Sequence, residues 1–143
     1  MKIVVFAPTT RDLDDALATL GRDVDVFIVS TSPVPSVRAT PVAVGSSRAW
    51  SRLSELARRT APGRVLRRLT PLDPGVAFAR RVRRSAAARA AIDSADLLVS
   101  VERDAQFTVW TESRRRAHRG TRVAAVSGFP AARSAVQRLS DGS

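Results

Sequence analysis

Apolar positions along the chain fall into two alternating rhythms. Lys2–Ala7 (KIVVFA) is a short run rich in β-branched residues, the pattern of a strand buried on both faces. Pro8 ends it, and Thr9 or Thr10 is placed to cap the next helix. Leu13, Ala16, Leu17 and Leu20 then recur at i, i+3, i+4 and i+7, which predicts an amphipathic helix over 11–21 stopped by Gly21. Asp12, Asp14 and Asp15 sit in its first turns, where the helix dipole favours acids. Val24–Ser30 (VDVFIVS) is a second strand. Pro33, Pro35 and Pro41 make 31–41 a loop into a third strand over Thr40–Gly45, and proline in that strand assigns it to a sheet edge.

The middle of the chain is helical in pattern. Residues 46–60 place Trp50, Leu53, Leu56 and Ala57 on one side, Pro62-Gly63 breaks the run, and a short basic helix over 64–69 and a Pro71–Gly75 turn come after it. Residues 76–93 form a longer Ala/Arg helix. Asp96–Glu102 (DLLVSVE) is a fourth strand, 104–119 a helix ended by Gly120, and Thr121–Ser127 (TRVAAVS) a fifth strand. Pro130 suits the first turn of a last helix carrying Ala132, Ala135, Val136 and Leu139, with a frayed tail from Ser140. Trp50, Phe78, Phe107 and Trp110 fall on the apolar faces of these helices and are expected in the core.

Strands alternating with helices call for a parallel sheet with right-handed crossovers, here one doubly wound, Rossmann-like α/β domain over residues 1–139. The strand order 3-2-1-4-5 puts the proline-bearing strand on an edge and the most apolar strands in the centre. The winding then reverses between strands one and four, where ligands of such folds bind beyond the carboxyl ends. The loops at that point are Ala7–Thr10 and Glu102–Asp104, with Ser127 and Gly128 beside them.

Composition changes this picture in two ways. With no cysteine among 143 residues, disulfides, thiolate metal sites and cysteine nucleophiles are excluded. The formal charge of +11 is carried by 23 Arg and one Lys and is unevenly spread. Residues 1–45 hold four basic and five acidic groups, net −1; residues 46–92 hold twelve and two, net +10; residues 93–143 hold eight and six, net +2. Such asymmetry points to a polyanionic partner: anionic lipid, nucleic acid or an acidic protein. Met1-Lys2 leads straight into a strand, without a long apolar run or cleavage site. The expectation is therefore a cytoplasmic chain, peripheral at the inner membrane surface if it meets a membrane at all.

Candidate chemistry is sparse. The first loop, Ala7-Pro8-Thr9-Thr10, lacks the glycines that let a backbone approach a pyrophosphate, and Asp12, Asp14 and Asp15 would repel one, so no dinucleotide cofactor is expected. Thr9 and Thr10 either cap the helix or offer hydroxyls to a polar ligand. Glu102 and Asp104 close a central strand, where a carboxylate could act as general base; equally, Asp104 could cap the following helix and Arg103 pair with a neighbour. Pro8, Thr9, Thr10, Arg103, Ser127 and Gly128 complete the candidate ligand site. His118, the only histidine, lies near a helix end beside Arg114, Arg115, Arg116 and Arg119, a favourable place for a cation and no metal-ligand set. Arg80, Arg81 and Arg84 share one helix face and Phe78, Ala79, Val82 and Ala86 another. With Arg64, Arg67 and Arg68 the arginines form a basic face, either simply solvated or turned to an anionic membrane or nucleic acid.

Two stretches together resemble the N-terminal domain of GT-B glycosyltransferases, especially the family-4-like group. One is the opening MKIVVFAP. The other, residues 90–128 (AAIDSADLLVSVERDAQFTVWTESRRRAHRGTRVAAVSG), resembles that family's unit of alanine-rich helix, Asp-Leu-Val-Val strand, charged turn, helix and Arg-Val strand. The resemblance implies an acceptor-side domain, with Glu102 and Asp104 in a turn that often carries an acceptor-contacting or basic group. Basic helices that dock on anionic membranes also suit the family. The glycines that usually follow the first strand are missing. So is the donor-binding second domain with its paired glutamates. On this reading the chain does not transfer sugar alone. It is a degenerate relative, a fragment, or one subunit whose partner supplies the donor domain.

Overall fold

A computed structural model describes residues 1–10, 12–21, 23–45 and 73–141. The helices expected over 46–60 and 64–69, and with them Trp50, Arg64, Arg67 and Arg68, lie outside the described residues. Within these, the elements run β1 (Lys2–Phe6), α1 (Asp14–Ala18), β2 (Asp25–Ser30), β3 (Thr40–Ala43), α2 (Pro74–Arg84), α3 (Ala86–Asp93), β4 (Leu97–Ser100), α4 (Arg103–His118), β5 (Ala124–Ser127) and α5 (Phe129–Asp141). The strands form one sheet in the order β3-β2-β1-β4-β5, every neighbouring pair parallel. This is the doubly wound arrangement the sequence pattern calls for. No helix of the described residues is long and apolar enough to cross a membrane.

The pleat sorts the core. In β1, Val4 and Phe6 face one layer while Ile3 and Val5 face the other. The first layer gathers Phe78 and Val82 of α2, Ile92 of α3 and Ala105 and Val109 of α4 over Val29 and Leu98. Phe6 and Phe78 meet edge to face, centroids 6.4 Å apart at 88°. The second layer packs Leu13, Leu17 and Leu20 and, from α5, Ala132 and Ala135 over Ile28, Leu97 and Val99. Every residue of β4 is buried, as a central parallel strand requires. β3 forms an edge, where Pro41 sits opposite Ile28.

Several helix boundaries differ from expectation. The first helix shrinks from 11–21 to five residues, although its leucines are buried as the period requires; Leu13, at the cap position, has no side chain able to serve it. The single helix expected over 76–93 is two. Ser85 is extended (φ −81°, ψ 117°), ending α2 while its hydroxyl accepts from Ala88 N–H at 3.2 Å to start α3. The break turns Ala86 to solvent instead of continuing the Phe78–Val82 stripe. α2 itself begins earlier, at Pro74, because Asp73 accepts from Gly75 N–H (2.8 Å) and Val76 N–H (3.2 Å). At the far end α5 runs on through Ser140 and Asp141, which the sequence assigns to a frayed tail.

Candidate functional site at the carboxyl ends of β1 and β4

The loops after β1 and β4 meet where the winding reverses. β1 hands its chain to Pro8, whose carbonyl accepts from Thr31 Oγ1 (2.6 Å) at the end of β2. Thr9 and Thr10 then turn toward β4 and close on one side chain, that of Glu102. Its Oε1 accepts from Thr9 N–H (2.8 Å), Thr10 N–H (2.6 Å) and Thr10 Oγ1 (2.8 Å), and its Oε2 from Thr9 Oγ1 (2.5 Å). Residues 93 positions apart are thus tied together across the switch point.

This geometry gives the two threonines a partner within the chain. Both hydroxyls donate to Glu102, and neither caps a helix. Glu102 in turn holds the cap position of α4 with extended backbone, but its side chain makes no cap bond there because it reaches to the loop after β1. Desolvation raises its pKa, and the hydrogen bonds from Thr9 and Thr10 outweigh that, leaving it below the ordinary 4.5. A carboxylate held ionised by four donors is a poor general base at neutral pH. In this geometry Glu102 ties the loop after β1 to the start of α4 as a clasp.

The other expected residues surround this clasp. Arg103 is exposed and opens α4. Asp104 lies one position on, half-buried in the first turn; it is an acid at the positive end of the helix dipole and not the cap. The backbone of α2 presses against it: a Cβ on buried Gly75 would stand 3.0 Å from the Asp104 carbonyl oxygen. Ser127 accepts from Gln106 Nε2 at 3.2 Å, and Gly128, at φ +78°, donates its N–H to the Ser100 carbonyl (2.8 Å) as it turns β5 into α5. Pro8, Thr9, Thr10, Glu102 and Arg103 thus share one rim, with Ser127 and Gly128 on its β5 side.

The basic face divides. On α2, Phe78, Ala79 and Val82 are buried, while Arg80, Arg83 and Arg84 are exposed and Arg81 partly so; none of the four makes an ion pair among the described residues. The arginines late in α4 are engaged. Arg116 Nη1 donates to the carbonyls of Ile92 (2.9 Å) and Ala95 (2.5 Å), closing the end of α3. Arg115 bonds Asp93 at 3.1 Å, and Arg119 approaches the same carboxylate at 3.9 Å. Exposed His118 ends the helix.

α4 holds what sequence reasoning missed. Its inward face is Ala105, Thr108, Val109 and Glu112. Glu112 is only 2% exposed, with Oε2 2.8 Å from Arg115 Nε in an ion contact whose angles make no hydrogen bond. The buried Thr108 hydroxyl has no hydrogen-bond partner among the described residues. Phe107 and Trp110, expected in the core, are instead 44% and 53% exposed. The signal was available: positions 103, 107, 110, 114 and 118 share a helix face, and beside the two aromatics that face carries Arg103, Arg114 and His118.

Fold and site together define a doubly wound α/β domain whose switch point is clasped shut by a carboxylate. Comparison with protein-family models, curated proteins and solved structures gave no match.

Proposed function

We propose that the chain is a binding or accessory domain without catalysis of its own, in the manner of the acceptor-side half of a two-domain glycosyltransferase. The observation that carries the non-catalytic part is the Thr9–Thr10–Glu102 clasp, which occupies the best-placed carboxylate of the switch point. The acceptor-side part rests on the resemblance of residues 90–128, which form a contiguous helix, strand, helix, strand and turn within the five-stranded sheet. A polar acceptor would lie along the rim of Thr9, Arg103, Ser127 and Gly128, with a donor-binding domain or subunit opposite, and an anionic membrane surface could present a lipid acceptor.

The test is co-purification of the tagged chain from its native host, alongside an assay of the pure chain with a nucleotide sugar and a lipid acceptor. Recovery of a polypeptide with a donor-binding domain, and no turnover by the chain alone, is the expected result. Turnover by the pure chain would overturn the non-catalytic part, and recovery of nucleic acid alone would overturn the acceptor-side part.

One observation favours a second reading, a basic module for a polyanion such as nucleic acid or an acidic protein. Arg80, Arg83 and Arg84 of α2 are exposed without ion pairs among the described residues and adjoin a helix that displays aromatics.

A further inference from the structure

We propose that the outer face of α4, with the adjoining edge of α2, binds single-stranded nucleic acid, stacking bases on Phe107 and Trp110 and holding phosphates with the surrounding arginines. This rests on the second reading, that the basic surface takes a polyanion, and adds the partner's class and the residues that distinguish it.

Phe107 and Trp110 lie one turn apart with ring centroids 6.2 Å from each other and planes 32° apart, and both are about half exposed. The Arg114 guanidinium lies 5.1 Å from the centre of a Trp110 ring, a cation already seated against the indole. A groove of about 340 Å³ opens beside them, lined by Arg83 of α2 and by Trp110, Thr111, Glu112, Arg114, Arg115 and His118 of α4. Arg103 continues the stripe one turn before Phe107, so Arg103 and Arg114 flank the aromatic pair at both ends over roughly 16 Å of helix.

Each alternative partner leaves part of this surface unused. A duplex offers phosphates to the arginines, but its bases are already stacked on one another. A polyacidic chain such as polyglutamate likewise satisfies charge but has no ring or base to stack on the aromatics. A membrane-surface helix needs a continuous apolar face, whereas here the two aromatics stand among Arg103, Gln106, Thr111 and Arg114. A single strand uses both features, because every unpaired base has a face to stack and every linkage a phosphate to neutralise.

The experiment is fluorescence anisotropy of the full chain with a labelled oligo-dT and oligo-U, the matching duplex, polyglutamate, and phosphatidylcholine–phosphatidylglycerol vesicles. Tighter binding to the single strands than to the other probes is expected. Trp110→Ala and Phe107→Ala should each weaken it about tenfold, within the range for loss of one stacked base. Arg83→Gln and Arg114→Gln should each reduce the slope of log affinity against log salt by about 0.7. All four positions are exposed, and circular dichroism melts are to check that each variant folds. If Arg80, Arg81 and Arg84 changed together to Gln abolish binding while both alanine variants bind normally, the stacking proposal falls and the polyanion reading stands. Preference for duplex, polyglutamate or vesicles overturns the proposal in favour of that partner, and no binding to any probe overturns both.

Discussion

α2 and α4 lie side by side on one face of the sheet and solve the same packing problem in opposite ways. Gly75 abuts Asp104 near their starts, and Arg83 and Glu112 line one groove further along. α2 is conventional: Phe78, Ala79 and Val82 go in and arginines go out. α4 sends a threonine and a glutamate in with Ala105 and Val109, and leaves its phenylalanine and tryptophan out. The difference teaches that a helix's rotation about its axis is set by all its attachments together. Glu102 fastens the start of α4 to the loop after β1, close backbone contact with Gly75 demands a small inward surface, and Arg115 and Arg116 fasten its end to α3. Turning the aromatics inward would break these ties.

The comparison predicts a graded set of effects. Phe78→Ala removes the largest inward side chain of α2 from beside Phe6 and should cost about 3–5 kcal/mol in urea unfolding. A loss no greater than that of a surface change would mean that α2 does not seal this layer.

Glu102→Gln keeps the shape of the α4 clasp while removing its charge and facing an amide against N–H donors, and should cost about 2 kcal/mol at pH 7. Acid titration gives the sign independently. A carboxyl whose folded pKa is depressed stabilises the fold above its unfolded value, near 4.5, and that stability fades as pH falls below it toward the folded value. The variant's stability should be flatter through that window than the parent's; parallel curves would show that Glu102 is not held ionised by the fold.

Thr108→Val exchanges a buried hydroxyl, unpartnered among the described residues, for a methyl group of the same shape. It should stabilise by about 1 kcal/mol, read as a rise in Tm. A fall in Tm would reveal a hydrogen bond to that hydroxyl. Trp110→Ala, the formal counterpart of Phe78→Ala, should change stability by less than about 0.5 kcal/mol. A larger loss would place the indole in the core and remove the contrast between the helices.

Much of this protein was written in its local pattern. The strand runs, the edge position of the proline-bearing strand and the buried leucines around α1 follow from period and turn chemistry, because each depends on neighbours within a few residues. The candidate loops were legible too, since strand order alone fixes where winding reverses. Their relationship was not: Thr9 and Thr10 read as helix caps and Glu102 as a possible base, and only the adjacency of β1 and β4 makes them partners. The division at Ser85 hid in a run of alanine and arginine, all good helix formers. The inward Glu112 and outward Trp110 ran against hydropathy itself.

By itself, then, the sequence determined the order of the strands, the parallel winding and the concentration of positive charge, since propensity, period and composition are local properties of the chain. The tertiary structure decided that the switch-point carboxylate is a clasp and that α4 shows its aromatics to solvent. Hydrogen bonds across 93 positions and the rotation of a helix among several anchors depend on where distant segments meet, which no local pattern encodes.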